Sequence, residues 1–237
     1  VASLVSAFMI SNLAGQFMVV ILVVASIAAW SLILAKWMEL RLADQANRAF
    51  LAAYRNEAHP VALFLKRQRY ESSPVYAIYE KSCRALGAAL EGRNSDAEDL
   101  FMGAVSSTQA KLSAIQTIDV RNAGDRARAT QTAGLEKNMS LVALASATTP
   151  LLGMLGALWV ALEALEALPP GSETLLDLSP SMVSGALLPL VVGLLVAIPS
   201  RIGNQALGDR IRRLGVEMEA FSLELRSSIE AHYLQQK

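Results

Sequence analysis

The sequence has one cysteine, Cys83, and two histidines, His59 and His232, among 237 residues. A single thiol excludes a disulfide framework and a cysteine-based zinc site, and two imidazoles leave little for a metal centre. Charge is scarce too: charged residues are 18% of the chain, against roughly 25% in ordinary globular domains. The 21 basic and 21 acidic residues cancel, which argues against a nucleic-acid partner. Aromatics at 6%, with 14 Gly and 8 Pro, do not give the composition of a disordered or low-complexity chain. There is no internal repeat, Gly-rich phosphate loop, Ser/His/Asp constellation or metal-ligand spacing. An enzyme is therefore not expected, and neither is a cofactor or a bound metal. The most informative absence is local: residues 1–35, 138–162 and 178–200 carry no charge at all.

What fills those gaps is apolar. Hydrophobic residues make up 53% of the chain, and mean hydropathy is +0.37. A bilayer-spanning helix needs about 20 consecutive apolar residues. Three segments meet that length, at 15–35, 138–162 and 178–200. A secretory signal peptide is the alternative for the first, but no basic residues precede its apolar run and the nearest ones follow it. All 21 Lys and Arg residues fall in 36–137 or 201–237, whereas the 163–177 connection carries only Glu163, Glu166, Glu173 and Asp177. The positive-inside rule then puts 36–137 and 201–237 in the cytoplasm, with 1–14 and 163–177 on the periplasmic side. Trp30, Trp37 and Trp159 sit near the expected interfaces, as aromatic belts do.

The intracellular portion reads as helical. Trp37–Glu57 continues the first span, with Leu40, Ala43, Ala46, Phe50 and Leu51 at helical spacing. Pro60 restarts the chain, Pro74 opens a helix, and Gly92–Ser95 reads as a turn. Asp96–Lys137 reads as one long helix running into the second span, weakened locally by Gly124 and Gly134. The tail, Gln205–Gln236, is amphipathic, with Ile211, Leu214, Met218, Phe221 and Leu225 on one stripe. Such stripes bury against neighbouring helices or subunits, and their mixed charge argues against a membrane-surface role. His59 and His232 read as solvated surface residues. The expected fold is an all-α membrane protein: three transmembrane helices with long cytoplasmic helical extensions.

This order of segments is distinctive, and the residues sharpen it. The stretch LEKNMSLVALASATTPLLGMLGALW, from Leu135 to Trp159, resembles the second-span motif of the MotA/TolQ/ExbB proton-channel family. The matching positions are Leu135, Glu136, Lys137, Pro150, Gly153, Gly156 and Trp159. GLLVAIPS, from Gly193 to Ser200, is similar to the family's third-span ending, and SIAAWSLILAKW resembles the first span of TolQ/ExbB-type members. The resemblance implies a homopentamer in the bacterial inner membrane, acting as a stator driven by proton-motive force. It also implies a TolR/ExbD-like partner with one span bearing an Asp, and a TolA/TonB-like energy transducer beyond it. No span centre here holds an ionisable residue. An intramembrane proton relay normally needs one, so the carrier comes from elsewhere.

The chain departs from the family pattern at three pore positions. Ala157 and Leu190 stand where family members carry pore threonines, and Gly185 stands where many carry a glutamate. Ser146, Thr148 and Thr149 remain as polar candidates for a pore or proton pathway, with backbone back-bonding as the competing role. Pro189 removes an amide donor and frees the Gly185 carbonyl, which a neighbour or a watery cavity must satisfy. Gly153, Gly156 and Ala157 form a small-residue face suited to helix packing, and Pro150, Gly193 and Pro199 join them as packing candidates. Glu136 and Lys137 mark the inner mouth, as interfacial anchors or as groups between subunits. Glu163 and Glu166 mark the outer one, as a cation-attracting ring or a solvated loop start. A non-conducting pentameric scaffold is the competing function.

Overall fold

Each apolar run becomes part of a helix, and two of those helices run far past the apolar segment. The computed structural model describes residues 13–91, 114–166 and 180–233. Among them every regular element is helical. In chain order these are α1 (Leu13–Arg55), α2 (Ala62–Leu65), α3 (Pro74–Glu91), α4 (Ala114–Glu136), α5 (Met139–Glu166) and α6 (Pro180–Tyr233). The expected Gly92–Ser95 turn, the helix start from Asp96, and Glu173 and Asp177 of the 163–177 connection lie outside the described residues.

Three stretches are long and apolar enough to cross a membrane, within Gly15–Arg55, Ile115–Glu163 and Leu187–Tyr233. Only 22–28% of their most apolar windows is buried within the chain. The rest, including Phe17, Val24, Ile27, Leu151, Leu158 and Leu195, faces outwards. Helix α1 has 43 residues and α6 has 54. At about 1.5 Å per residue each is at least twice as long as a hydrocarbon core of about 30 Å, so only part of either fits inside a bilayer. The second span and the helix before it are separate elements. The continuous helix expected from Asp96 into the second span is interrupted at Lys137–Asn138, where Asn138 adopts a left-handed φ of 66°. Asn tolerates that region better than most residues. The Lys137 amide donates to Gly134 O at 3.2 Å, and Val142 N–H restarts the ladder on Asn138 O at 3.3 Å. The third span and the tail, by contrast, form one helix that passes through Pro189 and Pro199.

The chain divides into two compact units. The first comprises Val1–Trp37 and Asn138–Gly208, and the second comprises Met38–Lys137 and Asp209–Lys237. In the first, α5 packs on the leading half of α6 and touches α1 through Met18. In the second, the trailing half of α1, Tyr70, α3 and the trailing half of α6 supply an aromatic core, and α4 packs against α3. Leu40, Ala43, Phe50 and Leu51 are buried, as are all five expected stripe residues of α6. Phe50, fully buried, lies between 5.4 and 6.1 Å from the rings of Tyr54, Tyr70, Tyr76, Tyr79 and Phe221.

A polar hub is set into that apolar core. Asn47 is fully buried. Its Oδ1 accepts from the Ser73 hydroxyl at 2.7 Å and from Val75 N–H at 3.3 Å, and its Nδ2 donates to Glu217 at 3.2 Å. Ser73 Oγ in turn accepts from Tyr76 N–H at 3.1 Å, so the hub caps α3 and joins it to α1 and α6. Such a group is tolerable only because each polar atom has a partner.

Burial also tunes the phenols and the thiol. Tyr79 is fully buried, and its hydroxyl accepts from Phe64 N–H at 3.0 Å. Burial pushes its pKa well above the ordinary 10.0, and it pushes up the thiol of Cys83 as well. A raised phenol pKa means the folded state holds the proton more tightly. That contribution is complete below pH 10 and is lost as pH rises through the folded value. Stability is therefore expected to fall above pH 10, and Tyr79→Phe should flatten that decline. At neutral pH the same substitution should cost about 1 kcal/mol for the lost Phe64 bond. Melting curves taken from neutral pH upwards check both.

Candidate functional site

The first unit is organised around glycines. A Cβ built on Gly193 would lie 2.8 Å from Gly153 Cα and 3.4 Å from Thr149 O. One built on Gly153 would lie 3.0 Å from both Gly193 Cα and the Pro189 carbonyl. One turn on, a Cβ at Gly156 would meet Pro189 Cβ at 2.9 Å and Met18 at 3.3 Å. Helices α5 and α6 thus approach backbone to backbone, as small residues permit in membrane helices. Of the packing candidates, Gly153, Gly156 and Gly193 meet at this contact, where Pro189 joins them. Pro150 and Pro199 lie inside their own helices and are half-buried.

The polar candidates sit beside it. Ser146 and Thr149 are buried, and Thr148 is half-buried. Thr149 Oγ1 donates to Ala145 O at 2.7 Å, and Thr148 Oγ1 donates to Leu144 O at 2.9 Å. Ser146 Oγ donates to Val142 O at 2.8 Å and also lies 3.2 Å from Ser200 O of α6. Ser200 Oγ donates to Val196 O at 2.8 Å. Each hydroxyl is thus within donating distance of a carbonyl of its own helix. This is back-bonding, and the Ser146–Ser200 approach is its one interhelical branch.

The remaining positions divide by burial. Gly185 and Pro189 are buried within the unit, whereas Ala157 and Leu190 are half-buried. Glu136, the last residue of α4, and Lys137 after it are exposed. At the other end Trp159 Nε1–H donates to Glu163 at 3.1 Å, one turn along α5, and Glu166 is exposed at the helix end.

Lys36 is a residue that sequence reasoning passed over. It is only 7% exposed and belongs to the first unit. Charge counting treats it merely as the first basic residue after the span. Spacing would have flagged it: Leu22, Ala29, Ile33, Lys36, Leu40, Ala43, Asn47 and Phe50 are all buried, at intervals of three, four or seven residues. That stripe holds two polar members, Lys36 and Asn47, and burying a cation is costly unless it is satisfied. On α6 the equivalent stripe runs through Gly193, Ala197, Ser200 and Leu207.

Helices α5 and α6 thus form a close-packed apolar pair threaded by glycines and prolines, with hydroxyls beside the contact. The sequence profile of the MotA/TolQ/ExbB proton channel family matches residues 95–220. That stretch is just over half of the 237-residue chain and contains all of α5 together with the Gly153–Gly193 contact. The chain belongs to the MotA/TolQ/ExbB proton channel family. With three helices able to cross a bilayer, it is a multi-pass membrane protein. Within the family match, Gly153 and Gly193, two glycines of the motif resemblance, meet backbone to backbone. No curated protein matches the chain.

Proposed function

We propose that this chain is a TolQ/ExbB-like subunit of an inner-membrane stator that couples proton-motive force to work on the cell envelope. Family membership carries the reading. The charge-free spans support it, because a channel wall without an ionisable centre needs a partner to supply one. That partner is a TolR/ExbD-like protein with a single span bearing an Asp, held inside a ring of five copies of this chain. A TolA/TonB-like transducer carries the motion outwards. The topology is N-terminus periplasmic and C-terminus cytoplasmic, following the Lys and Arg distribution. No catalytic chemistry belongs to the chain itself.

A second reading, a pentameric scaffold that does not conduct, is favoured by particular residues. Ala157, Leu190 and Gly185 offer no side-chain hydroxyl or carboxylate. The hydroxyl protons of Ser146, Thr148 and Thr149 are engaged by carbonyls of α5. Proton flux in proteoliposomes holding this chain and its partner separates the two. The stator reading expects flux above background that vanishes when the partner's membrane Asp becomes Asn. Background flux with the partner intact leaves the scaffold. Restoring both hydroxyls with Ala157→Thr and Leu190→Thr should raise flux several-fold; unchanged flux would place the pore face elsewhere.

A further inference from the structure

The two histidines of the chain, distant in sequence, meet in the second unit. His59 lies in the turn after α1, and His232 lies in the last turn of α6. His232 is exposed, as the sequence suggests, whereas His59 is half-buried. Their ring centroids are 5.2 Å apart with planes inclined at 63°. Tyr233 stands 5.8 Å from His59 on an edge-to-face angle of 85°. His59 Nδ1 is buried with no hydrogen-bond partner. A buried ring nitrogen without a partner is unfavourable, and coordination to a metal ion would satisfy it. His232 Nδ1 lies 2.8 Å from Ser228 O. Because a carbonyl only accepts, this nitrogen is the donor, and Nε2 is the ring atom left to coordinate an ion.

The ring spacing is that of two imidazoles sharing one metal ion. Zn–N bonds of about 2.0–2.1 Å at a tetrahedral angle hold two imidazole centroids about 5 Å apart. Metal-ligating histidines commonly donate their second ring N–H to a backbone carbonyl, as His232 does to Ser228. We propose that His59 and His232 are the two protein ligands of a divalent transition-metal site, of which zinc is the type, completed by water. Imidazole selects zinc, copper or nickel over magnesium and calcium. Among the described residues no group of three or more His, Cys, Asp or Glu converges to hold a metal. Binding is therefore expected to be micromolar and reversible. His232 is exposed, which gives the ion a path in. A bound ion would tie the turn after α1 to the end of α6, two elements far apart in the chain.

The test is zinc binding to the purified full-length protein in detergent without a histidine tag, read by competition with a chromogenic chelator. One equivalent per chain at micromolar affinity is expected, unaffected by excess Mg²⁺. His59→Gln and His232→Gln should each weaken it by an order of magnitude or more. Cobalt substitution should give a visible absorption band that both variants lose. Melting curves establish that the variants fold; His232 is exposed, so at least that one is expected to. Absence of saturable zinc binding, or a folded variant that binds like the parent, overturns the proposal.

Discussion

Gly193→Val should prevent α5 and α6 from packing and remove most of the folded protein from the membrane. The new Cβ alone would sit 2.8 Å from Gly153 Cα, a backbone atom that cannot swing aside as a side-chain tip can. Two further methyl groups must then find room where the helices already touch. Overpacking a rigid contact costs about 1–3 kcal/mol, and a backbone-to-backbone contact belongs at or above the top of that range. Gly153→Val should behave in the same way, since its Cβ meets Gly193 Cα and the Pro189 carbonyl at 3.0 Å. The two substitutions share one contact, so together they should cost less than their sum. Gly208→Ala is the control. Nothing lies within 4 Å of a Cβ there, and Ala should be neutral or stabilising by up to about 1 kcal/mol through helix propensity. Thermal melts in detergent and steady-state membrane levels read the contrast. Wild-type stability in Gly193→Val would show that the helices stand further apart than this geometry requires.

Phe50→Ala should be comparably damaging, in the second unit. Phe50 is fully buried and touches five aromatic rings, so its loss leaves a void that those rings cannot refill together. Phe→Ala in a packed core costs about 3–5 kcal/mol. Cys83 offers a readout, being a fully buried thiol that burial also holds in its protonated form. In the folded state it should resist maleimide, and labelling should report opening of this unit. With each 1.4 kcal/mol worth a factor of about ten, opening should rise by two orders of magnitude or more in Phe50→Ala. Phe50→Leu, which keeps most of the volume, should cost far less. Equal labelling in Phe50→Ala and wild type would show that the aromatic cluster is not what closes the unit.

How much was legible beforehand differs between the two units. In the first, long charge-free runs announce helices whatever they pack against, because only a helix satisfies its own backbone within lipid. The glycines at 153, 156 and 193 were readable as packing positions, since small residues signal close approach. What could not be read was the pairing: Gly193 meets Gly153, whereas Gly156 meets Pro189 and Met18. That register depends on the rotation of each helix about its axis, which local sequence does not encode. The hydroxyls of Ser146, Thr148 and Thr149 were visible as polar groups with two competing roles. The choice of their own carbonyls appeared only with coordinates.

In the second unit, the stripes on α1 and α6 marked faces to be buried but not their partners. Asn47 reads as an ordinary surface residue because polar side chains usually are. Its hub joins Ser73, Val75 and Glu217 across separations of 26, 28 and 170 residues. His59 and His232 looked unrelated for the same reason. Sequence pattern also failed at Lys137–Asn138, because a left-handed residue interrupts a helix without altering hydrophobic periodicity.

The sequence by itself determined three apolar runs, the one-sided placement of basic charge, helical secondary structure and family membership. All of these depend on local composition or on motifs within one helix. Tertiary structure alone decided which glycines touch, where buried polar atoms find partners, and that the two histidines stand side by side. Those are contacts between residues far apart in the chain, set by helix rotation and register, and no local pattern contains them.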